Sequence, residues 1–114
     1  MPDKFSMETL TEAARRSLDR FVRQLRLRYA DRLKQAILYA HKDRGEGGAD
    51  LDILVVITGL EDRFAEMARI HEISGPIKVE ENVLITALPV DAAYLESQRE
   101  APFFAAALSK GLVI

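Results

Sequence analysis

Hydrophobic residues recur every three or four positions in three segments of the chain, the spacing that places side chains on one face of an α-helix. The first segment spans residues 9–31, and Thr9 followed by Glu12 matches a capping box at its entrance. Its stripe predicts one long helix with a single core-facing side. That stripe consists of Leu10, Ala14, Leu18, Phe21, Val22, Leu25 and Tyr29.

The other two segments predict a helix over residues 61–74 and one over residues 102–110. A Gly-Pro pair at positions 75–76 is expected to end the former. Phe103 and Phe104 in the latter are expected to fill the core. We expect His71 to be a packed imidazole without a catalytic role. The apolar stripe of the helix over residues 61–74 is expected to face the core and consists of Phe64, Met67, Ala68 and His71.

Shorter apolar runs between these helices are rich in β-branched residues, which favours strands. Residues 41–50 contain three of the six glycines and are predicted to form a loop. The alternation of helices and strands predicts a single domain over residues 1–114, of the α+β class, with a small mixed sheet of about three to five strands and helices packed on it. The predicted strands cover residues 36–40, 51–58 and 83–88, with Pro89 ending the last and residues 77–79 a short additional strand.

Composition narrows the classes of chemistry. The 114 residues are 48% hydrophobic and include no cysteine, which excludes disulfides, thiolate zinc sites and a cysteine nucleophile. No apolar run approaches the roughly 20 residues that span a bilayer, so we expect no membrane association and a cytoplasmic location. The sequence shows no aromatic residues beside basic ones that would form a base-stacking surface, and we therefore expect no nucleic-acid partner.

Charge is unevenly distributed along the chain. Residues 1–44 carry a formal charge of +5 and residues 45–114 a charge of −7. The basic part is suited to phosphates or an acidic partner, and the acidic part to divalent cations. The alternative is an ordinary solvated helix face, since seven of the basic residues alternate with the apolar residues of the first helical stripe. They are Arg15, Arg16, Arg20, Arg23, Arg26, Arg28 and Arg32.

Asp50 and Asp52 open the predicted strand over residues 51–58. Side chains two apart in a strand point to the same face, so the two carboxylates are expected to lie side by side. Such a pair is suited to Mg²⁺, with Mn²⁺ as an alternative, because hard cations take oxygen ligands. The alternative is that Asp50 is a turn residue and Asp52 a solvent-facing one, with no ion.

The segment over residues 36–57 resembles the signature of the minimal nucleotidyltransferases, a branch of the DNA polymerase β-like superfamily. Leu38-Tyr39 matches the apolar lead-in, Arg44-Gly45-Glu46 the Arg-Gly turn, and the Asp-x-Asp strand the metal-binding strand. The tail over residues 100–114 is similar to the family's ending. The resemblance implies a metal-dependent enzyme that transfers a nucleoside monophosphate from an NTP, ATP above all, to a hydroxyl of a protein or small molecule.

Two features depart from the family pattern. The family's Gly-Ser is replaced by Ala40-His41, and the following loop is about two residues shorter. The resemblance also implies a third carboxylate from a later strand, but the run over residues 83–88 contains no acid. Glu81 is the best candidate, with Glu80 and Asp91 as alternatives. The residues that would hold the nucleotide are Ala40, His41, Lys42, Arg44 and Gly45.

These departures leave two hypotheses. In the first, the chain is an active nucleotidyltransferase with Asp50, Asp52 and Glu81 as catalytic residues. In the second, catalysis has been lost and the fold acts as a binding module, because family members of this size are often the antitoxin of a toxin–antitoxin pair with a helical HEPN-type protein. The expected protein partner is therefore a HEPN-type protein or a second copy of this chain.

Overall fold

Four helices pack on the two faces of one four-stranded sheet in the computed structural model, which describes residues 7–114. This architecture confirms the predicted α+β class with a small mixed sheet. The helices are α1 (Glu12–Tyr29), α2 (Arg63–Glu81), α3 (Ala92–Ser97) and α4 (Pro102–Lys110). The strands are β1 (Leu33–Gly45), β2 (Gly48–Ile57), β3 (Val83–Asp91) and β4 (Leu112–Val113).

The strand order in the sheet is β3-β2-β1-β4. β1 and β2 form an antiparallel hairpin, whereas β2 and β3 run parallel and are connected through α2. The short β4 pairs antiparallel with β1. The predicted central position of β2 is therefore confirmed.

Two hydrophobic clusters bury the two faces of β2. Leu51 and Ile53 belong to the cluster shared with α1 and α2, and both are completely buried. Leu54 and Val56 belong to the cluster shared with α3 and α4. Burying one such side chain contributes about 1.5–3 kcal/mol, which explains why the central strand is apolar on both sides.

The first predicted helix begins later than its sequence pattern suggested. Thr11 is the N-cap of α1, and its Oγ1 accepts a hydrogen bond of 3.1 Å from the Ala14 amide. The prediction of a capping box from Thr9 to Glu12 is therefore wrong, because the chain enters the helix two residues further on. The predicted core-facing stripe is confirmed, since all seven of its residues are buried.

The predicted loop over residues 41–50 is wrong. β1 continues to Gly45 and β2 starts at Gly48, so only Glu46 and Gly47 form the turn. Their φ angles of 55° and 81° are the positive values that a tight two-residue hairpin turn requires. The backbone hydrogen bonds of the hairpin thus extend into polar sequence that hydrophobicity alone does not mark as strand.

The predicted stop at residues 75–76 is also wrong, because α2 continues through Pro76 to Glu81. Ile77, predicted to lie in a short strand, is a completely buried residue of this helix. Its burial helps offset the hydrogen bond that the proline ring removes. The helix ends instead at Asn82, whose φ of 58° is a left-handed C-cap conformation.

The face of α2 that packs on the core was also predicted wrongly. Its buried residues are Glu66, Ile70, Ser74 and Ile77. All four residues of the predicted stripe, including His71, are instead exposed to solvent. The helix therefore carries apolar residues on two sides, and only one side contacts the core.

Two further differences occur near β3. The strand includes Pro89 and extends to Asp91, because an edge strand can accept a residue without an N–H donor. The sequence pattern gave no sign of α3, which follows directly and is capped by the Asp91 side chain. The predicted helix over residues 102–110 is confirmed as α4.

Three of the six arginines of α1 pair with acids of α2. Arg16 lies 2.8 Å from Glu81, and bonds of 3.0 and 2.6 Å join Arg20 to Glu80 and Arg28 to Glu72. The charge asymmetry along the sequence is thus partly compensated between two adjacent helices. These exposed pairs contribute little to stability, because water and salt screen their attraction.

Candidate functional site

Asp50 and Asp52 lie on the same face of β2, as predicted. In the parallel ladder Asp50 pairs with Leu84 and Asp52 with Thr86. This is the sheet face that carries the α3 and α4 cluster further along the strand, since Leu54 follows at the next alternate position. The acidic pair therefore occupies the polar continuation of a buried sheet face.

Arg44 supplies a positive charge to one member of this pair. Its Nε lies 2.8 Å from Asp50 Oδ1, but the N–H is not directed at that oxygen. Among the described residues, the buried Oδ1 has no hydrogen-bond donor. The attraction is therefore a charge contact without hydrogen-bond alignment.

Backbone carbonyls hold the Arg44 guanidinium in this position. Its Nη2 donates to the carbonyl of Asn82 at 2.8 Å and to that of Ala49 at 3.2 Å. Asn82 is the C-cap of α2, so the end of the crossover helix fixes an arginine that comes from the hairpin. The position of Arg44 beside Asp50 is built into the fold.

Asp52 has a different environment. Burial raises the pKa of its carboxyl group, and the neighbouring Asp50 carboxylate raises it further. Within the described part of the chain, no hydrogen bond or ion pair engages the Asp52 side chain. The negative charge of Asp52 is thus the less compensated of the two.

The Tyr39 side chain lies close enough to Asp52 for the two groups to interact electrostatically. Burial, and secondarily the Asp52 charge, raises the pKa of Tyr39. The Tyr39 ring contacts the edge of Phe103 with a centroid separation of 5.2 Å. Phe103 is 44% exposed, so the prediction that it fills the core is wrong, whereas Phe104 is partly buried against the cluster on that face. Sequence reasoning did not place Tyr39 beside Asp52, because that proximity depends on the register of β1 with β2.

The predicted nucleotide-binding residues are only partly brought together. Ala40 pairs with Asp52 and Lys42 with Asp50, and these residues share the face of the acidic pair. His41 pairs with the core residue Leu51 and lies on the opposite face.

The structure also places the other two predicted residues, His41 and Gly45. The His41 Nε2 is 3.3 Å from the Thr9 hydroxyl oxygen, near the start of α1. Gly45, with a φ of 80°, is the last residue of β1 before the hairpin turn. The chain therefore offers Lys42 and Arg44, but not His41, to an anion bound beside the aspartates.

The candidate third carboxylates have other partners. Arg16 donates two hydrogen bonds to Glu81, at 2.8 and 3.2 Å, and these bonds lower the Glu81 pKa. Glu80 accepts hydrogen bonds from Arg20 on the same helix, α1. The structure thus joins both glutamates to α1, on the face of the sheet opposite the aspartates.

Asp91 is at the far end of the parallel ladder, paired with Ile57. Its carboxylate accepts hydrogen bonds from backbone amides, and those bonds lower its pKa. It holds the chain after β2 against the start of α3. The donors are the amides of Leu60, Tyr94, Ala93 and Gly59.

The donor set at the acidic pair fits a divalent cation incompletely. Two carboxylates are suitable ligands for Mg²⁺, which commonly completes its shell with water and phosphate oxygens. However, residues 7–114 contain no group of three or more His, Cys, Asp or Glu side chains arranged to hold a metal ion. The neighbouring strand presents Leu84 and Thr86 to the pair rather than a third acid.

Comparisons with protein-family models, curated proteins and solved structures return no significant match. In the described range, no helix combines the length and the apolar character needed to cross a membrane.

Proposed function

We propose that this chain is a nucleotidyltransferase-like binding module that has lost nucleotide transfer and acts through a protein partner. The observation that carries the proposal is the Arg44 guanidinium beside Asp50. It supplies a positive charge where the sequence resemblance implies a metal ion. A divalent cation that bridged both carboxylates would have to share Asp50 with Arg44 or displace it.

The surroundings of the acidic pair support the same proposal. Transfer to a hydroxyl needs a base in reach of the attacking group, and a third carboxylate usually has that role in the family that the sequence resembles. Leu84 and Thr86 occupy the register positions beside Asp50 and Asp52. Glu81, which lies just before β3 in the sequence, is bound to Arg16.

The protein partner follows from the resemblance, which implies a helical protein of the HEPN type. In that arrangement this chain would be the antitoxin. Co-expression with each HEPN-type protein encoded in the same genome tests this part of the proposal. We expect one of them to co-elute with the chain, and the absence of any complex would contradict the expected partner.

One observation favours active transfer as a second candidate. The two carboxylates do share a face, and Asp52 is unpaired with a raised pKa, which is an arrangement that a cation would relieve. In this candidate Asp50 and Asp52 would hold Mg²⁺ or Mn²⁺, which would neutralise charge on the phosphates of ATP. Lys42 and Arg44 would contact its phosphates.

Labelling with ATP separates the two candidates. The chain is incubated with radiolabelled ATP and Mg²⁺ or Mn²⁺, alone and with its co-expressed partner, beside the variants Asp52→Asn and Asp19→Asn. Asp19 is an exposed α1 residue paired with Arg23, so its variant is a matched control. We expect no metal-dependent label in any sample. Label that is lost in Asp52→Asn but kept in Asp19→Asn would overturn the proposal in favour of transfer.

A further inference from the structure

β3 lies at one edge of the sheet, and its only neighbouring strand is β2. Its first eight residues, 83–90, include no charged side chain. Among residues 7–114, no element outside the β2 ladder forms a backbone hydrogen bond along this stretch. Proteins usually protect such an edge with charged side chains, because its unpaired backbone groups readily accept a further strand.

The register with β2 determines which backbone groups of β3 point outward. The Ala49 amide donates to the Asn82 carbonyl at 3.3 Å, and Ala49 pairs with Val83 in the parallel ladder. With this bond, Leu84 and every second residue after it direct their N–H and C=O groups toward β2. The residues whose N–H and C=O groups point away from β2 are therefore Val83, Ile85 and Ala87.

Pro89 occupies the next outward position in the same alternation. A proline has no N–H, so at an inward position it would remove a hydrogen bond from the ladder with β2. At its outward position it leaves that ladder intact, and only its carbonyl is available to a further strand. The open edge, as we call it, therefore covers residues 83–89.

A cavity of about 290 Å³ adjoins the end of the open edge. Tyr94 of α3 and Phe104 of α4 line it and contact each other edge to face, with ring centroids 6.1 Å apart. Its volume is just below the roughly 300–1,000 Å³ of small-molecule pockets and suits one large apolar side chain. The apolar part of the lining comprises Leu60, Leu88, Pro89, Val90, Tyr94 and Phe104.

We propose that the open edge docks an extended segment of a partner protein, which adds a fifth strand antiparallel to β3 and places one large apolar side chain in the cavity. Main-chain hydrogen bonds to the edge supply affinity, and the cavity supplies specificity. The residue opposite Leu88 enters the cavity, because directly opposed residues share a face of the sheet. This inference goes beyond the proposed function, since it holds whether or not nucleotide transfer is lost.

A second copy of this chain does not fit the open edge. α2 packs mainly on β3, where Ile70 and Ile77 share a hydrophobic cluster with Val83 and Ile85. Two β3 strands paired edge to edge would lie about 5 Å apart, whereas packed helices need about 8–10 Å between their axes. The α2 helices of two copies would therefore collide, and a single extended segment avoids that collision.

The side chains beside the open edge define the chemistry of the segment. Leu84 is 41% exposed, and Thr86 on the same face is also exposed. Apolar residues opposite these two would cover Leu84 and contact the Thr86 methyl group. The expected segment is therefore extended, uncharged along the edge and apolar at alternate positions.

Amide hydrogen exchange of the full chain, followed by NMR, tests whether the edge is open. We expect the outward amides of Val83, Ile85 and Ala87 to exchange at least about tenfold faster than the inward amides of Leu84 and Thr86. Equal protection of the two sets would show that the edge is closed and would overturn the proposal. Protection of the outward set that rises with chain concentration would overturn it in favour of a second copy.

A synthetic peptide with both ends capped serves as the probe for docking. Its residues are lysine, threonine, leucine, threonine, valine, threonine, valine and lysine, so the leucine lies opposite Leu88 when the fourth residue pairs with Ala87. We expect a dissociation constant of roughly 10 μM–1 mM by NMR titration, with slower exchange of the outward amides. No change at the open edge with about 5 mM peptide would contradict docking.

A second peptide tests the cavity. Replacing the leucine of the probe by alanine should weaken binding at least about threefold, because less apolar surface is buried in the cavity. The lining residues Tyr94 and Phe104 should show chemical-shift changes only with the leucine peptide. Equal affinity of the two peptides would show that no side chain is seated in the cavity.

Ala87→Pro and Ala87→Ser form a matched pair of variants. Ala87→Pro removes an outward N–H without breaking the ladder with β2, as Pro89 does, whereas Ala87→Ser keeps the donor. We expect Ala87→Pro to weaken binding of the leucine peptide at least about tenfold and Ala87→Ser to change it less than about twofold. Equal affinity of the two variants would overturn the proposal. Circular dichroism verifies their folds, and the exchange measurement decides the question without any variant.

Discussion

Arg44 Nε lies 2.8 Å from Asp50 Oδ1, and the same guanidinium donates to the backbone carbonyl of Asn82. One carboxylate of the acidic pair therefore has a counter-charge from its own chain, whereas the Asp52 carboxylate has none among the described residues. The hairpin supplies the arginine and the end of α2 fixes it. This contact among Asp50, Arg44 and the Asn82 carbonyl is the main reason why we propose a binding module and not an active nucleotidyltransferase.

Removal of the Arg44 charge should strengthen cation binding at the pair. Arg44→Gln deletes a positive charge beside Asp50, and at such a partly exposed site this charge opposes a cation by about 1 kcal/mol. The affinity for Mg²⁺ measured by isothermal titration calorimetry should rise roughly fivefold. Arg99→Gln is the control, because Arg99 pairs with Glu96 at the end of α3 and not with the aspartates. Equal Mg²⁺ affinity in wild type and Arg44→Gln would show that Arg44 does not compete with a cation.

A third carboxylate introduced at Leu84 should have a larger effect. Leu84 pairs with Asp50 in the parallel ladder and is 41% exposed, so an aspartate there would face the pair without entering the core. Leu84→Asp should increase Mg²⁺ affinity about tenfold, because three carboxylates bind a hard cation better than two. Leu27→Asp adds the same charge on α1 and should change nothing. If both variants bind Mg²⁺ with equal affinity, a carboxylate at position 84 does not contribute a ligand beside Asp50.

The raised pKa of Asp52 predicts a pH-dependent gain in stability on its replacement. Because the pKa is higher in the folded than in the unfolded chain, the folded state binds more protons between the two values. The free energy of unfolding therefore falls as pH rises through that interval. Asp52→Asn should be more stable than wild type at pH 7, and the difference should vanish below about pH 3. Urea denaturation at both pH values measures it, and a destabilised variant at pH 7 would contradict the prediction.

The buried hydrogen bond between Tyr29 and Glu66 should stabilise the packing of α1 on α2. The Tyr29 hydroxyl donates to Glu66 Oε2 at 2.5 Å, and Glu66 is only 4% exposed. Tyr29→Phe leaves a buried carboxylate oxygen without its donor, at a cost of about 1–3 kcal/mol in the free energy of unfolding. Tyr94→Phe at a 55% exposed position is the control, and thermal denaturation compares the two. A loss no greater in Tyr29→Phe than in Tyr94→Phe would mean that the bond contributes little.

Local patterns predicted the fold class and the strand face of the acidic pair. The stripe of α1 and the apolar run of β2 are direct consequences of one-sided and two-sided burial, so periodicity was sufficient for both. The shared face of Asp50 and Asp52 follows from the two-residue repeat of a strand. Neither conclusion depends on where another element packs.

Helix α2 shows where such patterns stop being informative. Its apolar residues lie on two sides, and hydrophobicity could not distinguish the side with Ile70 from the side with Phe64. Which side of α2 is buried depends on which of its residues contact α1 and the sheet. The same limit applies to the hairpin, since polar residues in β1 are extended because β2 pairs with them.

The sequence by itself determined that two carboxylates stand side by side at the start of a buried strand, because strand geometry is local. Only the tertiary structure decided what surrounds them. Arg44 is held there by a carbonyl 38 residues away in sequence, and the register of β3 presents Leu84 instead of an acid. Such long-range contacts arise from packing and strand pairing, which no local pattern of residues encodes.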